Sequence, residues 1–249
     1  MDKEDKPMSL IDHLEEFRTH LIRCLIAVAL PVPLTYWLSQ PAIEWLKRES
    51  CPENIQLHYF QPLELFFVRC KVALMLALLA AFPYVAYQVW HFVSPALMRN
   101  ERRFALNFIF WSTFFFALGA ALAIFLVLPA VFKFSLGMAT PDIVPTLSVQ
   151  GFVSMALMLA LAFGIMFELP IVVVLLASLG IVSTERMSKM RPYIIVGIFI
   201  AAAVLTPGDI VLTQLALAIP AILLFEISLI VARFGERRAA KAAEQDIGA

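Results

Sequence analysis

"FVSMALMLALAFGIMFELPIVVVLLASL" occupies residues 152–179 and holds a single ionisable side chain, Glu168, and a single proline, Pro170. A helix needs about 20 apolar residues to cross the hydrocarbon core of a bilayer. This run exceeds that length, so it reads as a membrane-crossing helix. An ionised acid near the bilayer centre costs on the order of 2.5 to 3.5 kcal/mol or more, so Glu168 is expected to be protonated or paired. Pro170 has no N–H and leaves the carbonyl of Met166 without its helical donor, which offers a protonated Glu168 a local acceptor. Two roles stay open for the acid: a hydrogen-bonded structural anchor, or a polar docking point or proton-linked group in transport.

The rest of the chain follows the same pattern. Of its 249 residues 61% are hydrophobic and 15% charged, with a mean hydropathy of +0.86, against roughly 45 to 50% apolar content in a soluble domain. The composition is that of an integral membrane protein. Six apolar runs are separated by polar punctuation, at 21–38, 65–93, 104–132, 152–179, 193–205 and 210–232. The fifth and sixth hold apolar stretches too short for a comfortable crossing, which implies bilayer thinning or cover by neighbouring protein. Together they make one all-α polytopic domain over 1–249. With the N-terminus inside, fourteen of the nineteen Lys and Arg fall on the cytoplasmic side, so the positive-inside rule puts both termini in the cytoplasm. Tyr36 and Trp37 then mark the outer interface, and Tyr87, Trp90 and Tyr193 the inner one.

Net charge is zero, so no global field points to nucleic acid. No cleavable leader is recognisable, because the first apolar run follows an acidic amphipathic segment and lacks a small-residue cleavage site. Cys24, Cys51 and Cys70 are scattered, without C-x-x-C, and read as packing residues rather than a disulfide or zinc site. No metal or cofactor motif is present, and the hydrolase, protease and P-loop signatures are missing; "LTPGDI" is at most half of an intramembrane aspartyl protease site. On the outer side "PAIEWLKRE" reads as a short interfacial helix starting at Pro41 and "ATPDIVPTLSVQ" as an irregular loop, together an outer cap. No internal repeat is evident.

Chemistry concentrates at the inner ends. Ser9 and Asp12 form a capping box after Pro7, so a helix starts near Leu10. Leu14, Phe17 and Leu21 share its apolar face. Glu15 can pair with Arg18 at i, i+3, whereas Glu16 has only His20 nearby. In "SPALMRNERRF", Glu101 sits among Arg99, Arg102 and Arg103, which double as a positive-inside anchor. Thr206, Thr213 and Gln214 carry groups suited to interhelical hydrogen bonds, and Glu226 is placed to reach water at the inner end.

In order along the chain, "HLEEFRTHLIR", "YQVWHFVSPALMRNERR", "AFGIMFELPIVV", "KMRPYIIVG", "LTPGD" and "QLALAIPAILLFEI" resemble the TatC family, the polytopic receptor subunits of the twin-arginine protein translocase. The resemblance implies six helices in a concave, glove-like bundle in the inner (cytoplasmic) membrane, N-in and C-in. It implies a non-enzymatic oligomeric receptor that binds twin-arginine signal peptides of folded precursors and works with TatA and TatB on the proton-motive force, with membrane lipid as its surroundings. Glu16 and Glu101 match the family's signal-peptide glutamates, with Arg18, Phe92, Arg102 and Arg103 around them. Glu168 matches the intramembrane acid, Thr206 and Gln214 the TatA/TatB contact, and Pro41, Pro83 and Pro170 structural positions. Asn100 replaces a more usual histidine, and an extra residue between Asp209 and Gln214 leaves Asp209 without a clear counterpart. A carboxylate pair at the membrane face suits two guanidinium groups, whose planar fork binds carboxylate bidentately and stays charged. The residues alone also fit a proton-coupled small-solute transporter built around Glu168.

Overall fold

The computed structural model of the chain describes residues 10–51, 56–93, 102–138, 146–178, 180–205 and 211–247. Glu101, Thr206 and Asp209 lie outside them, as do Ser9 of the expected capping box, most of the second outer loop and the side chains of Arg102 and Arg103. The described chain is helical. Its helices are α1 (Leu10–Ala29), α2 (Val32–Ser50), α3 (Glu64–Val93), α4 (Arg102–Leu122), α5 (Leu128–Leu136), α6 (Val149–Met166), α7 (Leu169–Ser178), α8 (Thr184–Lys189), α9 (Arg191–Leu205) and α10 (Val211–Ile247). Among the described residues four stretches are long and apolar enough to cross a membrane, a fifth results if the bent α1–α2 pair counts as one span, and α9 is a shorter apolar helix. The sixth run, expected to be too short for a comfortable crossing, is one of the four, at Thr213–Gly235, because the helix continues on both sides of its uninterrupted apolar stretch.

The first apolar run, expected as one span over 21–38, is broken. α1 and α2 meet at 51° across Leu30 and Pro31. Pro31 and Pro33 carry no N–H, so the carbonyls of Ala27 and Ala29 lose their helical donors and the axis turns there. Beyond the bend α2 runs to Ser50 with Pro41 inside it. The separate interfacial helix expected to start at Pro41 is therefore the continuation of α2. A π-helical segment at Ala123–Val127 joins α4 to α5; the cause is Pro129, which cannot donate to the carbonyl of Phe125. Gly180, at φ 68°, ends α7, with its N–H on Ala177 O at 3.0 Å and that of Ile181 on Leu176 O at 3.2 Å, a left-handed stop that glycine takes without steric cost. The six-residue α8 after it, capped by Ser183, was not foreseen.

α6 is the hub, packing on α3, α4, the π segment, α9 and α10. It crosses α4 at two glycines: a Cβ on Gly119 would stand 2.5 Å from Phe163 O, and one on Gly164 2.7 Å from the Phe116 ring. Phe116 stacks on Phe82 of α3 with centroids 3.8 Å apart, which locks three helices at one level. Leu159, Phe163, Leu217, Phe225 and Leu229 complete the buried centre.

The connections put the start of α1, the end of α3, the start of α4, the end of α7, α8, the start of α9 and the end of α10 on one face, here the terminal face. On the opposite face two strands pair in parallel, β1 (Leu57–His58) with β2 (Leu147–Ser148). Glu64, 4% exposed, clasps them. Its Oε2 accepts the N–H of Phe60 at 2.7 Å and of Gln61 at 3.3 Å, and its Oε1 accepts the N–H of Gln150 at 3.1 Å and the hydroxyl of Ser148 at 3.4 Å. Ser148 caps α6 through Gly151 N. One buried carboxylate thus ties the segment before α3 to the start of α6.

Candidate functional site

On the terminal face α1 packs along α3 and lines up four polar groups. His20, buried, donates from Nδ1 to Gln88 Oε1 at 2.6 Å, and Gln88 Nε2 donates to the Tyr84 hydroxyl at 2.6 Å. The second His20 nitrogen, Nε2, lies 4.0 Å from Glu16 Oε1. Around them Phe92 sets its ring edge-on to Phe17 at 5.6 Å and against His20 at 6.1 Å, and His91 packs on His20 at 5.4 Å. Glu16, with 26% of its side chain exposed, faces an open cleft of about 390 Å³ lined by Glu15, Glu16, Arg18, Thr19 and Ile22. The expected Glu15–Arg18 ion pair is absent among the described residues, where both side chains are exposed. Such a cleft, with two carboxylates and one guanidinium in its lining, can hold a cation.

Glu168 sits in the break between α6 and α7. Its partner is not the carbonyl of Met166: the Ser112 hydroxyl of α4 donates to Oε2 at 2.7 Å, and the buried Oε1 has no hydrogen-bond partner among the described residues. The local acceptor expected from sequence is replaced by a neighbouring helix that approaches closely enough to offer a hydroxyl. On the same side an apolar cavity of about 340 Å³ is bordered by Trp90, Trp111, Phe115, Pro170, Leu224 and Val231.

The sequence matches the family described as Sec-independent protein translocase protein (TatC) over residues 12–220. The chain belongs to the TatC family. It is 37% identical over 244 residues to the Sec-independent protein translocase protein TatC of Haemophilus influenzae, covering 94% of this chain and 92% of that one. The TatC of Desulforapulum autotrophicum is 36% identical over 242 residues, 96% of this chain and 89% of its own. A crystal structure of the twin-arginine translocase receptor TatC superposes with a TM-score of 0.79 at 35% identity, over 88% of this chain and 99% of that one. This TatC chain is accordingly a component of a Sec-independent protein translocase, and the small-solute transporter reading falls away.

Of the residues singled out from sequence, Glu16, Arg18 and Phe92 come together on α1 and α3, while Glu101 lies outside the described residues. Pro83 stands exposed within α3, and Pro170 is buried at the second position of α7. Gln214 does bond between helices, donating to Phe199 O of α9 at 3.1 Å, but the buried Thr213 hydroxyl finds no hydrogen-bond partner among the described residues. Glu226 does not simply reach water; Arg191 of α9 binds it at 2.8 Å. Cys51 is buried at the end of α2, where burial pushes its thiol up despite Lys47 nearby, as suits a packing residue. The His20–Gln88–Tyr84 chain was missed. Its signal was there: Tyr84 and Gln88 stand at i, i+4 in an otherwise apolar helix, and His20 stands at i+4 from Glu16.

Proposed function

We propose that this TatC chain is the signal-peptide receptor of its translocase, with the terminal face in the cytoplasm and six crossings of the inner membrane. The carrying observation is the Glu16 cleft: a half-buried carboxylate near the start of α1, with Arg18 and Thr19 on its rim and the Phe17–Phe92 ring pair joining α1 to α3 nearby. In this reading Glu16 and Glu101 accept the two guanidinium groups of a twin-arginine signal peptide, and Arg102 and Arg103 hold the turn at the headgroups. Charge-assisted hydrogen bonds contribute roughly 1.5 to 3 kcal/mol each, less where water reaches them, which gives capture weak enough for release of the cargo.

TatA and TatB, in the same reading, dock on the outer part of α9 and α10 near Thr206 and Gln214, where the short apolar helix α9 leaves a hydrophobic mismatch. Glu168 is a polar group of the transport step inside the bundle, and several such chains form the receptor complex. Photo-crosslinking from positions flanking Glu16 and Glu101 to a precursor tests the reading. A precursor with twin Arg should crosslink and one with twin Lys should not, because lysine lacks the bidentate fork. Equal crosslinking of both, or crosslinks only from the opposite face, would overturn it.

A further inference from the structure

A second cleft, of about 480 Å³, opens where α1 bends into α2. Ile26, Ala27, Leu30 and Pro31 form one wall, Ala80, Ala81 and Tyr84 of α3 the other, and Arg23 its mouth. It exists because the prolines turn α2 away and because alanines face each other across the gap. Arg23 is exposed and makes no ion pair among the described residues. Such a cation inside an apolar run is costly unless an anion meets it. The Tyr84 hydroxyl accepts from Gln88 and keeps its own hydrogen to donate.

The depth fits a headgroup. At 1.5 Å per residue α3 is about 45 Å long, some 15 Å more than the hydrocarbon core. With that excess shared between its ends, Tyr84 lies about 6 Å below the polar boundary, within reach of a snorkelling arginine stem.

We propose that this cleft holds one anionic glycerophospholipid of the terminal-face leaflet, its phosphate on Arg23 and the Tyr84 hydroxyl and one acyl chain in the slot between Ala27 and Ala80. The cleft is open and mostly apolar, and the one charged group among its described lining residues is the Arg23 guanidinium, which matches phosphate bidentately. A lipid supplies an anion and a thin apolar chain on one molecule. Tyr84 is shared with the polar row that runs from Glu16; the lipid reading otherwise does not rest on the receptor reading.

The test is native mass spectrometry of the full-length chain released from detergent with palmitoyl-oleoyl phosphatidylglycerol or the matching phosphatidylcholine. One phosphatidylglycerol should stay bound per chain, preferred about tenfold. Arg23→Gln should bring the preference below about twofold, Arg23→Lys should keep part of it as a point charge, and Ala80→Phe should expel the lipid with Arg23 intact. Glycerol phosphate, the headgroup without its tails, should not bind. Should Arg23→Gln lower the lipid-free Tm, Ala80→Phe decides. Equal retention of the two lipids by the parent chain, an unchanged preference in Arg23→Gln, unchanged retention in Ala80→Phe, or binding of glycerol phosphate in place of the lipid would overturn the proposal.

Discussion

Glu64 on the opposite face and Glu16 on the terminal face are both carboxylates at a helix end, and their surroundings differ in one respect. Glu64 is closed in by three backbone N–H groups and a hydroxyl from two loops and is 4% exposed. Glu16 lines an open cleft, with 26% of its side chain reachable and a histidine 4.0 Å behind it. An acid whose donors all come from its own chain is committed to the fold. One that is backed by protein on one side and open on the other is placed to receive a donor from outside. Glu168 stands between them, with one oxygen on Ser112 and the other without a hydrogen-bond partner among the described residues.

The largest effect is expected at the closed site. Glu64→Ala strands three backbone donors and should lower the Tm of the detergent-solubilised chain by at least about 5 °C. Glu64→Gln, which keeps acceptor capacity on one atom, should lose less. Signal-peptide affinity per folded molecule should not change in either. If Glu64→Ala weakened peptide binding without lowering Tm, the division between the two carboxylates would break.

Glu168 sharpens the comparison from the middle. As an acceptor held by the Ser112 hydroxyl it should tolerate Gln but not Ala in a transport assay, and Ser112→Ala should cost about 1 kcal/mol of stability. Gln as defective as Ala, in protein that remains folded, would show that ionisation matters and move Glu168 to the functional side. The smallest effect belongs to Gln214→Leu, which removes the bond to Phe199 O and should cost about 0.6 kcal/mol. It should weaken crosslinking to TatA or TatB while precursor crosslinks near Glu16 persist; equal loss of both would point to general misfolding instead.

Much of this molecule is legible in its residues because the bilayer restricts the choices. Apolar length and Lys/Arg counts locate the helices, and Glu16, Phe92 and Glu168 stand out as polar or aromatic groups at helix ends or inside apolar runs. What escapes is set by non-local packing. The clasp joins Glu64 to Gln150, 86 positions away in the chain. Ser112 meets Glu168 across 56, and Arg191 meets Glu226 across 35, so no window of sequence contains either pair. The 51° bend at Pro31 was within reach, since two prolines two residues apart deprive the carbonyls of Ala27 and Ala29 of donors. Apolar content alone masked it.

In the proposed reading exposure, not acidity, separates Glu16, the carboxylate offered to a signal peptide, from the structural Glu64. Titration of a twin-arginine peptide against Glu16→Ala, Glu15→Ala and Glu64→Gln, at two salt concentrations and with Tm recorded for each, tests it most directly. Glu16→Ala should weaken binding roughly 5- to 150-fold with Tm nearly unchanged. Glu15→Ala should cost far less, because its carboxylate lies in open solvent where screening is strong, and Glu64→Gln should shift Tm alone. A Glu16→Ala chain that binds the peptide as the parent does at both salt concentrations would contradict the account.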